Sequence, residues 1–263
     1  MLATLRTLAR RGRGKLRQIM FRPYESSRRY GDATLRLSIQ DAKGQSWYDH
    51  DRDFEPEIER LRPFLETARV VFDLGAHQGV VVQALAHLAP DDAAVVAVEA
   101  NRPDYEIAVE NQRLNAAPNL TILYAAVASE SGTLRFARSG RVFTGGAGEQ
   151  VDEVRALTID ELAGEYGPPD VLFMDVDGSE ADALRGATET LKAHPPLYCE
   201  VHRDFLADRG DSVADVIATL HVAGYSLHVS AEMRPSRRTF EPYEESLIAG
   251  AGYFHLLALP PGE

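Results

Sequence analysis

The sequence predicts an α/β fold with a doubly wound, mostly parallel sheet. Short apolar runs at 69–74, 94–98, 120–126, 170–176, 196–201 and 224–229 alternate with helical stretches near 79–89, 104–115, 180–193 and 212–223. That alternation is the mark of parallel β-α units. The first run, moreover, ends in a glycine turn, Asp73-Leu74-Gly75-Ala76-His77-Gln78-Gly79, that passes directly into a helix. A sheet that binds a nucleotide opens in this way.

Taken in order, the first strand delivers the chain to that turn. Glycine tolerates positive φ and lets backbone approach a ligand, while the following helix presents unpaired amides. Gly75, Ala76, His77 and Gly79 are therefore candidate ligand contacts, and Asp73 beside them can brace the turn's amides or accept from an ammonium group. The second strand ends at Glu99, where a carboxylate can accept both hydroxyls of a ribose. Asn101-Arg102-Pro103-Asp104 reads as a helix start, so Asn101 either supports Glu99 or caps that helix. A dinucleotide fingerprint requires Gly-x-Gly-x-x-Gly, and His77 stands where the second glycine belongs. The pyrophosphate would lack its cradle. The remaining pattern suits adenosine carrying an amino-acid tail without phosphate, a description that S-adenosylmethionine fits.

After the third strand the alternation is interrupted. Thr133-Leu134-Arg135-Phe136, the glycine-rich Thr144-Gly145-Gly146-Ala147-Gly148, and Val151 to Leu157 read as a small β-hairpin, its tip either a lid near the site or an ordinary surface loop. The fourth strand carries Asp175 and Asp177 and leads into a turn at Gly178-Ser179; the fifth carries Glu200 and His202. Strand side chains alternate, so each pair shares a face, and adjacent strands bring all four together. Methyl transfer to an alcohol needs alignment with the sulfonium methyl and benefits from a base. His202, which ionises near neutrality, is the candidate base if Glu200 or Asp177 orients it. The same four groups could instead hold a divalent cation, magnesium above all; the metal-free base is the preferred reading, with Asp175 counted also as a cofactor contact. Within the turn, His77 is more a lining residue than a base. A last strand is expected at Tyr253 to Leu259.

The motifs Trp47-Tyr48, Asp53-Phe54-Glu55-Pro56-Glu57, the turn at 73–79, Val98-Glu99-Ala100-Asn101 with Pro103, Leu157-Thr158-Ile159-Asp160-Glu161-Leu162, Asp170 to Glu180, Leu184-Arg185-Gly186-Ala187 and Glu200-Val201-His202 occur in one order and spacing. In these the sequence resembles the FkbM family of S-adenosylmethionine-dependent methyltransferases over roughly residues 46–258. Asp177 departs from the family's more usual Glu before the glycine. The resemblance implies a Rossmann-like class I methyltransferase fold, with a seven-stranded sheet whose last strand inserts antiparallel beside the sixth. It also implies that Ala126 lies by the adenine and that acceptors range from polyketides to saccharides. The expected reaction is O-methylation of a hydroxyl on a small molecule, saccharide or glycolipid. Two alternatives are a nucleic-acid 2′-O-methyltransferase and a non-catalytic nucleotide-binding module.

A chain of 263 residues, 44% hydrophobic, can bury a large core as one α/β domain. We expect a basic extension over residues 1–45 and a catalytic domain over 46–263. Cys199 is the only cysteine, which excludes an intrachain disulfide and a cysteine-based metal cluster and suits a reducing compartment. Residues 1–40 hold 10 of the 28 Lys/Arg and 2 of the 40 Asp/Glu, a net of +8, leaving 18 against 38, a net of −20. Leu2, Leu5 and Leu8 repeat at helical spacing among arginines, compatible either with a helix on an anionic membrane or partner, or with a solvated extension. The acidic body argues against nucleic-acid binding. Met1 to Met20 lacks the apolar run of a signal peptide or membrane span. A cytoplasmic protein with optional contact at the membrane's inner face is expected.

Overall fold

The computed structural model describes residues 21–137, 140–142 and 150–262. Residues 1–20, read either as an amphipathic helix or as a solvated extension, and the glycine tip at 144–148 lie outside them. The described chain opens on an antiparallel hairpin, β1 (Tyr24–Tyr30) and β2 (Ala33–Ile39). Alternate β2 residues Ala33, Leu35 and Leu37 are buried in a small cluster with Tyr48 and Val80, as a half-buried strand requires. Two short helices follow, α1 (Ala42–Tyr48), capped by Asp41 Oδ1 accepting from the Gly44 amide at 2.6 Å, and α2 (Pro56–Leu65).

Then comes the alternation read from the sequence: β3 (Val70–Leu74), α3 (Val80–Leu88), β4 (Ala94–Glu99), α4 (Arg102–Asn115) and β5 (Leu120–Tyr124). Asparagines of α4 clasp the opening hairpin: Asn111 Oδ1 accepts from the Ser38 amide at 2.7 Å, and Asn115 exchanges two hydrogen bonds with the Arg36 backbone. The hairpin lies before residue 46, where the α/β domain was expected to begin, yet it is seated on the α/β body.

Where a hairpin was expected, the chain builds a separate four-stranded sheet from β6 (Ala126–Val127), β7 (Gly132–Ala137), β8 (Arg141–Val142) and β9 (Val151–Leu157), in the order β6-β9-β7-β8. Pairing of β9 with Ala126 and Val127, separated from the end of β5 by one residue, could not be read from a periodicity that runs 120–126 together. The remainder comprises α5 (Ile159–Tyr166), β10 (Val171–Met174), α6 (Glu180–Arg185), β11 (Leu197–His202), α7 (Arg203–Asp208), α8 (Val213–Val222), β12 (Ser226–Ser230), β13 (Glu241–Pro242) and β14 (Tyr253–Leu259). The helix expected over 180–193 stops at Gly186, where a Cβ would overlap the carbonyl oxygen of Ala128, and resumes as a 3₁₀ turn at Thr190–Ala193.

The main sheet runs β13-β12-β14-β11-β10-β3-β4-β5. It has eight strands rather than seven because the two-residue β13 pairs onto the edge of β12. Strands β11, β10, β3, β4 and β5 are mutually parallel, and β14 lies antiparallel between β11 and β12. Phe72, Leu74, Leu172 and Cys199 pack on one face, and Val71, Val95, Ala97 and Phe173 on the other. Both faces are covered, which is why these strands read as unbroken apolar runs. Among the described residues no helix is long and apolar enough to cross a membrane.

Candidate active site

The tips of β3, β10 and β4 meet at the glycine turn. Gly75 adopts φ +93°, and a Cβ there would overlap the carbonyl oxygen of Asp175. Glycine alone fits. The Gly75 and Ala76 amides donate to Val98 O at 2.9 and 3.0 Å, and Gly79, at φ +72°, lies against Ala108 of α4. His77 holds φ +49°, an uncommon conformation for a residue with a side chain. It is locked there: its Nδ1 and the Tyr48 hydroxyl share a hydrogen bond at 2.8 Å, and its amide donates to Glu99 Oε2 at 2.6 Å. Burial pushes its pKa down to about 3, so the ring is neutral. His77 borders two cavities.

Glu99 Oε1 accepts from the Asn101 amide at 2.6 Å. Its carboxylate thus ties turn to strand end and still borders a cavity of about 420 Å³ with Asn101, Ala126, Val127, Phe136 and Gly140. Each carboxylate oxygen retains a further acceptor site. Asn101 starts α4 without a side-chain cap bond. Asp73 lies in an adjoining cavity of about 460 Å³, together with Arg52, Tyr198, Arg238, Tyr253 and His255. It is 6% exposed and its Oδ2 has no hydrogen-bond partner. Burial raises its pKa to about 7, and burial likewise raises Glu99 to about 7.

The two cavities share a wall that includes Trp47, Tyr48, Gly75, His77, Asp175 and Glu200. Behind it the two polar pairs converge on His202. Its Nδ1 lies 3.1 Å from Glu180 Oε1 and 3.9 Å from Asp175 Oδ1, and its Nε2 lies 3.4 Å from both Asp177 Oδ1 and Glu200 Oε1. The ring is stacked between Phe205 and Tyr253. Burial alone would lower the pKa, but hydrogen bonds to Glu180 and Glu200 and the charge of Asp175 raise it to about 11. His202 is an imidazolium at neutral pH. A base must offer a free lone pair, so this arrangement is at odds with the role expected of it.

The carboxylates divide. Against the upward push of burial, the His202 contact and the charge of His255 hold Glu200 below the usual range. Asp175 is held well above it, by burial and then by the negative charge of Glu200. Half of the Asp175 side chain, 51%, is nevertheless accessible, because it faces the cavities. Asp177, at φ +44°, is also raised by burial. One atom each of Asp175, Glu200 and His202 could be brought to a cation within 4.8 Å of one another. With both ring nitrogens directed at carboxylates, however, the imidazole acts as a donor where a metal ligand needs a lone pair.

The methyltransferase FkbM domain model matches residues 73–227. The chain belongs to the FkbM methyltransferase family. Hexuronic acid methyltransferase AglP of Haloferax volcanii is 29% identical over 160 residues, covering 57% of this chain and 64% of that protein, so the FkbM chain spans less than two thirds of that relative's length. A methyltransferase FkbM from Methylobacillus flagellatus superposes with a TM-score of 0.47 at 16% identity, covering 73% of this chain and 44% of that one. A precorrin-6y C5,15-methyltransferase from Geobacter metallireducens gives a TM-score of 0.46 at 16% identity, with coverage of 77% and 85%.

The residues of the FkbM domain fit S-adenosylmethionine, the cofactor that the family implies. A buried, unpartnered Asp73 oxygen suits an ammonium, Gly75 leaves room beside Asp175, and Glu99 borders the space next to the small Ala126. Sequence reasoning missed Glu180, which is fully buried and accepts from the Gly178 amide at 3.0 Å and from His202. Its only signal was an acid directly after a strand-to-helix turn. It also missed the walls from Arg52 and Arg238, which lie outside the helices and main-sheet strands, and from Tyr198 and His255, whose strands were expected but whose facing toward the cavity was not.

Proposed function

We propose that this chain is an S-adenosylmethionine-dependent O-methyltransferase acting on a hydroxyl of a small molecule or saccharide. The carrying observation is Asp175, half accessible on the wall between two cavities, with a raised pKa and an imidazolium behind it. In this reading the cofactor's nucleoside lies along Glu99, Asn101 and Ala126, Asp73 takes its ammonium, and the acceptor enters the cavity lined by Trp47, Tyr198 and Tyr253. When bound, the cofactor supplies a methyl group on a positively charged sulfur that departs as a neutral thioether. Asp175 accepts the acceptor's hydroxyl proton while the oxygen forms its bond to the methyl carbon, and later releases that proton to solvent. A carboxylate whose pKa is raised takes up a proton more readily, once ionised, than an ordinary one. His202 orients Asp175 and Glu200 and offsets their combined negative charge on the cavity wall.

Aromatic walls support a saccharide, as does a relative named for hexuronic acid. A nucleic-acid 2′-hydroxyl suits these acidic walls less well, since a phosphate backbone requires positive charge. The seat of β1 and β2 on α4 supports a catalytic unit that includes this hairpin.

A panel of hydroxylated acceptors, sugars included, with labelled S-adenosylmethionine tests the reading. Asp175→Asn should lower turnover by about a hundredfold or more and leave S-adenosylhomocysteine affinity within about threefold, since the amide keeps the side chain's shape. His202→Gln should move the acidic limb of the pH–rate profile upward, because removing a positive charge makes Asp175 harder to ionise. Collapse of His202→Gln without a shifted limb, together with an active Asp175→Asn, would restore His202 as the base. Loss of activity in EDTA, restored by magnesium, would replace both with a cation.

A further inference from the structure

The cavity bordered by Glu99 is strongly acidic, with Asp41, Glu99, Asp104, Asp175, Asp177 and Glu200 among its walls. A ligand with an amino-acid tail brings an ammonium, which such walls favour, and a carboxylate, which they oppose. The carboxylate needs a positive partner. Among the described residues lining this cavity, Lys43, His77 and His202 are the only side chains able to carry positive charge. His77 is neutral, and both nitrogens of His202 are directed at protein carboxylates. The arginines of the adjoining cavity are engaged as well: Arg52 with Glu55 at 3.1 Å, Arg238 with Glu57 at 2.6 Å.

Lys43 remains. Its ammonium stands 4.4 Å from the centre of the Trp47 ring, and Trp47 belongs to the wall shared by the two cavities. Lys43 lines the same cavity as Asp104 and Asp177, and its charge offsets part of the upward push that burial gives both. Its helix is fixed on the glycine turn: Gln78 Nε2 donates to Asp41 and Asp104, both at 3.3 Å, and Tyr48 at the other end of α1 bonds to His77. Helix α1 therefore holds a lysine over the turn that receives the amino-acid tail.

We propose that Lys43 receives the carboxylate of the cofactor's methionine tail. The inference rests on the cofactor reading above. Calorimetric titration with S-adenosylhomocysteine and with 5′-methylthioadenosine, which keeps the nucleoside and thioether but lacks the amino-acid tail, separates the two. Lys43→Met should weaken S-adenosylhomocysteine binding roughly tenfold, the lower end for a charge-assisted contact at an exposed position, and leave 5′-methylthioadenosine within about twofold. Lys43→Arg should retain most of the difference between the ligands. Unchanged S-adenosylhomocysteine affinity in Lys43→Met, or equal weakening of both ligands, would overturn the assignment and leave the carboxylate to the free amides at the start of α3. If the unaltered protein bound neither ligand, the cofactor reading itself would fail.

Discussion

At the scale of single residues, Asp73 and Glu99 show how burial couples a site to pH. Both have pKa values raised to about 7, in each case chiefly by burial. A raised carboxylate binds more protons in the folded than in the unfolded chain between about pH 4 and 7, so its ionisation lowers the stability of the free protein across that window. A bound ammonium reverses the preference at Asp73, and ribose hydroxyls reverse it at Glu99. Affinity for S-adenosylhomocysteine should therefore rise between pH 5.5 and 7, where the ligand's own ammonium stays protonated, with a slope of log affinity against pH between one and two. Asp73→Asn should reduce that slope toward one, as should replacing the ligand by 5′-methylthioadenosine. A flat profile over this window would remove Asp73 from the ammonium site. Position could be read from the sequence for both residues, since Asp73 is the penultimate residue of one apolar strand and Glu99 the last of the next. Their protonation could not, and the same holds for His202, whose charge is set by Glu180 from the start of α6, by Glu200 on β11 and by Asp175, which lies one residue past the end of β10 rather than on the strand that the sequence led one to expect.

At the scale of elements, the turn between β3 and α3 was fully readable because glycine has a local cause there. Positive φ at Gly75, and the carbonyl oxygen of Asp175 where a Cβ would go, allow no side chain. Gly75→Ala must part the tips of β3 and β10, so it should cost at least about 1–3 kcal/mol in strain and abolish S-adenosylhomocysteine binding. Gly164 in α5 is the natural control: nothing lies within 4 Å of its Cβ position and its backbone is helical. Gly164→Ala should raise stability by about 0.5–1 kcal/mol. Thermal melts and calorimetry of the pair check this, and equal effects would show that crowding at Gly75 is not what selects glycine there. The small sheet was less readable. Its strands β6 and β8 are two residues each, too short to leave a periodic trace, and β6 joins β9 only through tertiary pairing.

At the scale of the whole molecule, parallel order followed from the apolar runs, while the seat of the opening hairpin did not, since it depends on Asn111 and Asn115 far along the chain. That seat changes how the basic tail should be tested. Residues 1–20 carry six Lys/Arg and no Asp/Glu, a net of +6, against −18 for the remainder. Removing everything before Asp41 would also remove β1 and β2, and would expose Val80 and Tyr48, which they cover. Any change in membrane binding would then be confounded with damage to the body. A chain beginning at Phe21 keeps the hairpin and loses only the tail. If the tail engages an anionic surface, the full chain should co-sediment with vesicles containing phosphatidylserine, lose most of that binding between about 0.1 and 0.5 M salt as screening sets in, and ignore neutral vesicles. The chain beginning at Phe21, with a net charge of −18, should stay in the supernatant under all these conditions, because like charge repels it from the surface. Equal sedimentation of the two chains would assign the positive charge to the protein's own acidic body instead, and raised salt should then lower the full chain's melting temperature while leaving that of the shorter chain unchanged.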